Sequence, residues 1–133
     1  MMVIALRDLA ACFEGVIPSI VATAAADGTT NISYLSHVVL VSDGHVALSN
    51  QFFSKTAANV RVNPNAAVLI VDPCDGTQYQ LDTSYERSLH AGELFEEMAA
   101  QLRASSAQIG LAQVMRLRSA DIYRVNGVRA IAS

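Results

Sequence analysis

The spacing of apolar residues along the chain changes several times and predicts a mixture of short helices and strands. Near the start, Leu6, Leu9, Ala10 and Phe13 recur at helical spacing and predict a helix over residues 4–14. A second amphipathic pattern comes late, where Leu94, Phe95, Met98 and Leu102 form an apolar stripe behind an acidic first turn. We therefore expect two helices flanking a region with a different period.

Between these helices lie short β-prone segments separated by turn-forming dipeptides. Asp27-Gly28 and Asp43-Gly44 predict hairpins, and Asn126-Gly127 predicts a further turn near the end of the chain. The run Ala66–Val71 is apolar throughout, which is typical of a strand buried on both faces. The predicted strands are residues 19–25, 32–34, 37–41, 45–48, 66–71, 78–85, 114–118 and 121–125. Many short strands with few helices favour a β-barrel over a parallel α/β sheet.

Composition narrows the class of protein. The 133 residues suit one domain over residues 1–133, and the net charge of −3 argues against a nucleic-acid partner. No apolar run reaches the roughly 18 residues that cross a bilayer, so we expect no membrane association. Cys12 and Cys74 lack metal or redox spacing, and Cys12 lies on the apolar face of the first helix. These features predict a cytoplasmic protein with reduced thiols and no metal site.

One segment carries candidate chemistry. Lys55 is the only lysine of the chain, and it lies between the hydroxyl residues Ser54 and Thr56 directly after a predicted strand. Either hydroxyl residue can cap a short helix that Asn63-Pro64 then ends. Helix-start amides, two hydroxyls and an ammonium form a donor set that suits a phosphate monoester. The alternative is a capped surface helix with an ordinary lysine.

The order of these segments resembles the FMN-binding split-barrel proteins related to pyridoxamine 5′-phosphate oxidase. The resemblance rests on Pro18–Thr23 leading into Asp27-Gly28, and then on Leu48-Ser49-Asn50 through Asn63-Pro64. It implies a mainly β (α+β) fold: a six- to eight-stranded antiparallel split barrel with a short N-terminal helix, a short phosphate-site helix and one longer late helix. It also implies a homodimer with FMN at the subunit interface and a small-molecule substrate or ligand.

The resemblance further implies which residues bind the cofactor. Ser54, Lys55 and Thr56 would hold the flavin phosphate, and Ser49 and Asn50 would face the ribityl chain or the ring edge. The remaining cofactor-binding candidates are Ser33, Tyr34, Ser36 and His37 beside the isoalloxazine ring, with Gln78 and Gln80 reaching it from the other subunit. The catalytic residues stay unassigned.

The sequence departs from the vitamin-B6 oxidases of this family in its cations. Those oxidases carry an arginine on the strand that contains His37 in this chain, and this chain has no arginine there. They also have a second cation at the position of Thr56. We therefore expect an FMN-dependent oxidoreductase of unknown substrate rather than a true pyridoxamine 5′-phosphate oxidase. The alternatives are a non-catalytic sensory module that binds flavin or another small ligand, and a vestigial dimeric split barrel.

Overall fold

The computed structural model describes residues 4–14, 17–35, 38–50, 54–108 and 117–132. Its helices are a 3₁₀ helix over Leu6–Phe13, α1 over Ser54–Val62 and α2 over Glu93–Gln108. The strands are β1 (Ser19–Ala24), β2 (Thr30–Leu35), β3 (Val38–Ser42), β4 (His45–Asn50), β5 (Asn65–Val71), β6 (Gln78–Leu89) and β7 (Ser119–Ala132). No helix among the described residues is both long enough and apolar enough to cross a membrane.

The seven strands form one antiparallel sheet in the order β2-β1-β5-β6-β7-β4-β3. Asp27-Gly28 joins β1 to β2, and Gly28 takes a φ of 88°, a left-handed conformation that suits a residue without Cβ. Asp43-Gly44 joins β3 to β4. These elements confirm the expected mainly β, split-barrel-like fold with three helices.

The larger apolar core lies on one face of the sheet. Val46, Leu48, Val68, Ile70 and Leu81 point inward and are at most 1% exposed. The 3₁₀ helix and Val60 of α1 pack against the same cluster, and α2 covers a smaller apolar cluster on the other side of β4 and β7. The helix α1 is therefore held by apolar contacts from one side, which fixes where its first turn lies.

Three sequence predictions need correction. The predicted first helix is present as a 3₁₀ helix, but with three residues per turn it buries Leu9 and Cys12, while Ala10, expected on its apolar face, is exposed. Asn126-Gly127 is not a turn, because β7 continues through it. Val125 pairs with Thr83 and Gly127 pairs with Asp82, so the register of β7 against β6 shifts here. One residue of β7 is thus extra to the pairing, which is a β-bulge.

The third correction concerns β5, whose side chains alternate between buried and half-buried rather than being covered on both faces in this chain. Its inward residues are Ala66, Val68 and Ile70, and its outward residues include Leu69. Of the predicted strand over residues 114–118, residues 117 and 118 lie outside β7, and the other positions fall outside the described residues.

Candidate functional site

The first turn of α1 rests against the polar side of β2. The hydroxyl of Thr56 lies 3.4 Å from that of Ser33, and the amide nitrogen of Asn31 donates to both oxygens at 3.3 and 3.2 Å. Thr56 is only 2% exposed, whereas Asn31 and Ser33 are half-buried. We call Asn31, Ser33 and Thr56 the polar triad. It joins two elements that sequence reasoning had linked only through the family resemblance.

The alternation of β2 explains why two of these residues share a face. Asn31 and Ser33 pair with Thr23 and Val21 of β1, which point inward, so their side chains also point inward. A further contact ties the helix to β1, because the amide of Asn59 donates to the Thr23 hydroxyl at 3.0 Å. The position of α1 is therefore fixed by hydrogen bonds at two points.

The donors around the first turn of α1 fit a phosphate monoester. The first N–H groups of a helix lack acceptors within the helix, and Ser54, Lys55 and Thr56 are its first three residues. Lys55 is exposed and carries the positive charge. Ser33 and Thr56 each have one hydroxyl proton. One of these protons forms the hydrogen bond between the two hydroxyls, and the other can be donated to an acceptor. The side chain of Ser54 lies outside the described part of the structure.

Sequence reasoning missed Asn31 and Asn59, which complete this arrangement. Asn31 stands two residues from Ser33, so period-two spacing on a predicted strand places both side chains on one face. The link from Asn59 to Thr23 is less accessible to sequence reasoning, because it joins positions 36 residues apart. A polar residue inside an otherwise apolar strand, such as Thr23, is the signal that could have found it.

Ser49 and Asn50, which follow each other on β4, point to opposite sides of it. Ser49 is 2% exposed and lies on the side of Ala47, which belongs to the apolar cluster under α2. Asn50 is half-buried and pairs with Ser119 on the inward side. Only Asn50 therefore lines a cavity beneath α1.

The other cofactor-binding candidates are not brought to the polar triad within one chain. Tyr34 points to the outer side of the sheet and is 74% exposed, opposite in direction to Ser33. Gln78 begins β6 and is half-buried, and β1 and β5 separate that strand from β2 in the sheet. Ser36 and His37 lie outside the described residues.

A wider cleft lies away from Lys55. Its volume is about 390 Å³, and its lining combines small and amide side chains such as Thr30, Asn63, Asn65 and Asn126 with the carboxylate of Asp82. No lysine or arginine lines it within the described part of the chain. Size alone would favour this cleft, but its charge does not suit a phosphate, so we place the candidate site at α1.

A charged network also crosses the outer part of β4, β6 and β7. The carboxylate of Glu86 accepts a hydrogen bond from Arg124 Nε at 3.1 Å, and it forms ion pairs with Arg124 Nη2 at 3.0 Å and with His45 Nε2 at 3.1 Å. It stands at a register shift of β6, between Tyr85 and Arg87. Since it joins three strands, its role is structural.

The groups with shifted pKa values include both thiols and the phenol of Tyr123. Burial raises the pKa of Cys12 to about 11, with Asp72 and Asp75 adding to the shift. The neighbouring carboxylate of Asp72 is also the first cause that raises the pKa of Cys74. Burial, followed by the charge of Asp121, raises the pKa of Tyr123 far above its ordinary value. Neither thiol is activated by its surroundings, because both pKa values are raised.

Comparison with known proteins gives a family match and a set of similar folds. A protein-family model described as pyridoxamine 5′-phosphate oxidase matches residues 7–129. No curated protein is significantly similar to the chain in sequence.

Three solved structures illustrate the range of similar folds. An FMN-binding protein from Syntrophomonas wolfei is 14% identical with a TM-score of 0.78, covering 96% of this chain and 88% of its own. A putative pyridoxamine 5′-phosphate oxidase from Lactobacillus delbrueckii is 12% identical with a TM-score of 0.59, covering 86% and 85%. HutZ, described as the heme storage protein of Vibrio cholerae, is 20% identical with a TM-score of 0.60, covering 97% and 95%. At these identities the likeness establishes the fold alone.

Proposed function

This chain belongs to the pyridoxamine 5′-phosphate oxidase family, and on that premise we propose that it is an FMN-binding flavoprotein acting as an oxidoreductase. The observation that carries the proposal is the contact, within the polar triad, of Thr56 in the first turn of α1 with Asn31 and Ser33 of β2. It holds the first turn of α1 beside a hydroxyl proton, and the helix-start amides with the ammonium of Lys55 would complete a donor set suited to a terminal phosphate. FMN, when bound, supplies hydride or electron transfer at its ring.

Within this proposal the residues of the first turn have different roles. Lys55 is exposed, and its ammonium would bind the phosphate together with the backbone amides of Ser54 and Thr56. The Thr56 side chain is buried against β2, so its hydroxyl holds the turn in position while Ser33 offers the spare hydrogen-bonding capacity. Asn50 and Gln78 remain proposed contacts of the flavin, Gln78 from the partner subunit. Because Tyr34 points away from the polar triad, we propose that it too reaches the flavin of the partner subunit.

We also propose that the protein is a cytoplasmic homodimer that pairs through the outer face of β1, β2 and β5. Ile32 and Tyr34 are 67% and 74% exposed there, and they pair with Ala22 and Ile20 of β1, which are half-buried. Leu69 of β5 extends the same apolar face beside Ile20. A contiguous apolar surface of this kind is typical of an interface. The two free cysteines agree with a reducing compartment.

A second candidate function is flavin binding without turnover. The polar triad consists of an amide and two hydroxyls, and no acid or base among the described residues is hydrogen-bonded to it. Such a site can bind a cofactor, but the polar triad itself contains no group that would transfer a proton. Steady-state turnover separates the candidates: an oxidoreductase consumes reduced nicotinamide cofactor or oxygen with FMN present, whereas a non-catalytic module does not.

Fluorescence titration with FMN, using riboflavin as the control ligand, tests the proposed function. We expect saturable binding of FMN and binding of riboflavin weaker by about tenfold or more, because riboflavin lacks the phosphate that the charged donors recognise. Equal binding of both flavins would contradict the phosphate site at α1. Binding of neither would contradict the flavoprotein proposal and favour the vestigial barrel.

A further inference from the structure

A small cavity lies beneath α1, on a different face of the helix from the polar triad. Its volume is about 120 Å³, and its lining includes Asn50, Arg61, Tyr85, His90, Arg118 and Asp121. This space corresponds to about four water molecules at ~30 Å³ each. We call it the α1 pocket. Thr56 turns toward β2, whereas Arg61 of the same helix lines the pocket, so the polar triad and the pocket use different residues of α1. Asn50, a proposed contact of the flavin, also lines the pocket.

The inner wall of the α1 pocket carries a buried carboxylate. Asp121 is 4% exposed, and its Oδ1 accepts a hydrogen bond of 2.7 Å from the Ser119 hydroxyl. None of the ion pairs among the described residues includes Asp121. A carboxylate has about four lone-pair sites, so acceptor capacity remains beyond the Ser119 bond. A buried carboxylate with acceptor capacity to spare can receive a hydrogen-bond donor that a ligand brings.

Two arginines, Arg61 and Arg118, also line the pocket, and both residues are exposed. The backbone around Arg118 is fixed, because its N–H donates to the Asn50 carbonyl at 2.8 Å and its carbonyl accepts from His90 Nδ1 at 3.2 Å. A carbonyl oxygen can only accept, so the Nδ1 of His90 carries the proton.

From this arrangement we propose that the α1 pocket binds a small zwitterion of the amino-acid class, with its ammonium at Asp121 and its carboxylate between Arg61 and Arg118. The buried acid selects a cationic head, and the two guanidinium groups at the mouth select an anionic end. The small volume favours short compounds such as glycine, β-alanine or 4-aminobutanoate. Tyr85 and Ser88, whose hydroxyls lie 2.6 Å apart, add polar groups to the lining of the pocket.

Calorimetric titration of the full chain with glycine, β-alanine and 4-aminobutanoate tests the proposal, with methylammonium and acetate as singly charged controls. We expect at least one zwitterion to saturate below about 10 mM and to bind about tenfold tighter than either control. Failure of all three to bind would overturn the proposal. Equal affinity for acetate would also overturn it, because it would show a plain anion site on the arginines.

Variants separate the two ends of the site. Asp121→Asn keeps an oxygen for the Ser119 bond and should weaken zwitterion binding about tenfold or more. Arg118→Gln should weaken binding to the same extent, and because Arg118 is exposed, this substitution should not disturb the core. Arg103→Gln, an exposed arginine on α2, is the matched control and should leave binding unchanged. Unchanged affinity in Arg118→Gln would contradict the site even if Asp121→Asn fails to fold. Binding should survive Lys55→Ala, which distinguishes this site from the flavin site.

Discussion

The hydroxyl of Thr56 lies 3.4 Å from that of Ser33, so the first turn of α1 is held against the inward face of β2. Twenty-three residues separate these positions, and the shared amide of Asn31 completes the contact. Because Thr56 is buried, this bond orients the turn that presents Lys55 and the helix-start amides to solvent. The predicted phosphate site therefore depends on a residue that need not touch the phosphate with its side chain.

Replacing Thr56 with valine tests that positioning role. The substitution keeps the shape of the side chain but removes a buried hydroxyl, which should lower the free energy of unfolding by about 1 kcal/mol and weaken FMN binding several-fold. Urea denaturation and flavin fluorescence measure the two effects.

Thr83→Val is the matched control for Thr56→Val. Thr83 is equally buried and donates to the Ala66 carbonyl at 2.7 Å, away from α1. It should cost similar stability without changing the FMN dissociation constant. Equal loss of FMN affinity in both variants would show that the effect of Thr56→Val comes from general destabilisation rather than from the triad.

The charge of Lys55 should account for much of the preference for FMN over riboflavin. Lys55→Ala removes the exposed ammonium of the first turn, and we expect the FMN dissociation constant to rise about tenfold or more, as for the loss of a charged hydrogen bond. Riboflavin binding should not change. Arg103→Ala removes an exposed cation from α2 and serves as the control; an effect as large as that of Lys55→Ala would indicate non-specific attraction.

Much of the fold follows from local sequence signals, because hairpin turns and alternation are properties of neighbouring residues. Asp27-Gly28 and Asp43-Gly44 were correctly predicted as hairpins, whereas Asn126-Gly127 has the same local signature but lies inside β7. There the pairing of β7 with β6 outweighs the turn preference, and the extra residue is accommodated as a bulge. Such pairing between distant segments is not visible in one sequence.

The candidate site was predictable in the same partial way. The isolated lysine between two hydroxyl residues marked the first turn of α1, and the family resemblance added Ser33. The sequence did not reveal Asn31 or the buried Asp121, because their importance comes from contacts with Thr56 and with the α1 pocket. Which side a polar strand residue faces depends on the register of the sheet, and that register is set by long-range pairing.

Glu86 should stabilise the sheet more than an exposed ion pair does. Glu86→Gln removes the charge that joins Arg124 and His45, and we expect the free energy of unfolding to fall by about 1–2 kcal/mol at pH 7. Asp43→Asn is the control, since the Arg7–Asp43 pair has side chains 69% and 70% exposed and should contribute less than about 0.5 kcal/mol. Equal effects in urea denaturation would argue against a special role for Glu86.

The two cysteines should differ in their reaction with thiol reagents. Cys74 is exposed, whereas Cys12 is buried with its pKa raised to about 11, so only about one Cys12 in a thousand is a thiolate at pH 8. We expect one thiol to react with iodoacetamide in the native protein and the second only after unfolding. Cys74→Ser should abolish the native reaction, and a remaining fast phase would contradict the burial of Cys12.

The raised pKa of Cys12 also predicts how stability depends on pH. Folding lifts this pKa from 9.0 to about 11, so the native state holds the proton more tightly than the unfolded state. The resulting stability is complete below pH 9 and is lost as the pH rises from 9 to 11. Cys12→Ala should flatten this part of the stability profile, as measured by urea denaturation at several pH values.

The outer face of β1 and β2 should control the oligomeric state. Ile32 is 67% exposed beside Tyr34, and burying such side chains in a second copy of the chain removes apolar area from water. Ile32→Lys places a charge in the proposed interface, so we expect a monomer by sedimentation velocity where the unmodified protein is a dimer. Val41→Lys, at a 43% exposed position of β3, should leave the dimer intact. A dimer in the Ile32 variant would place the interface elsewhere. If Gln78 and Tyr34 reach the flavin from the partner subunit, the monomer should also bind FMN more weakly.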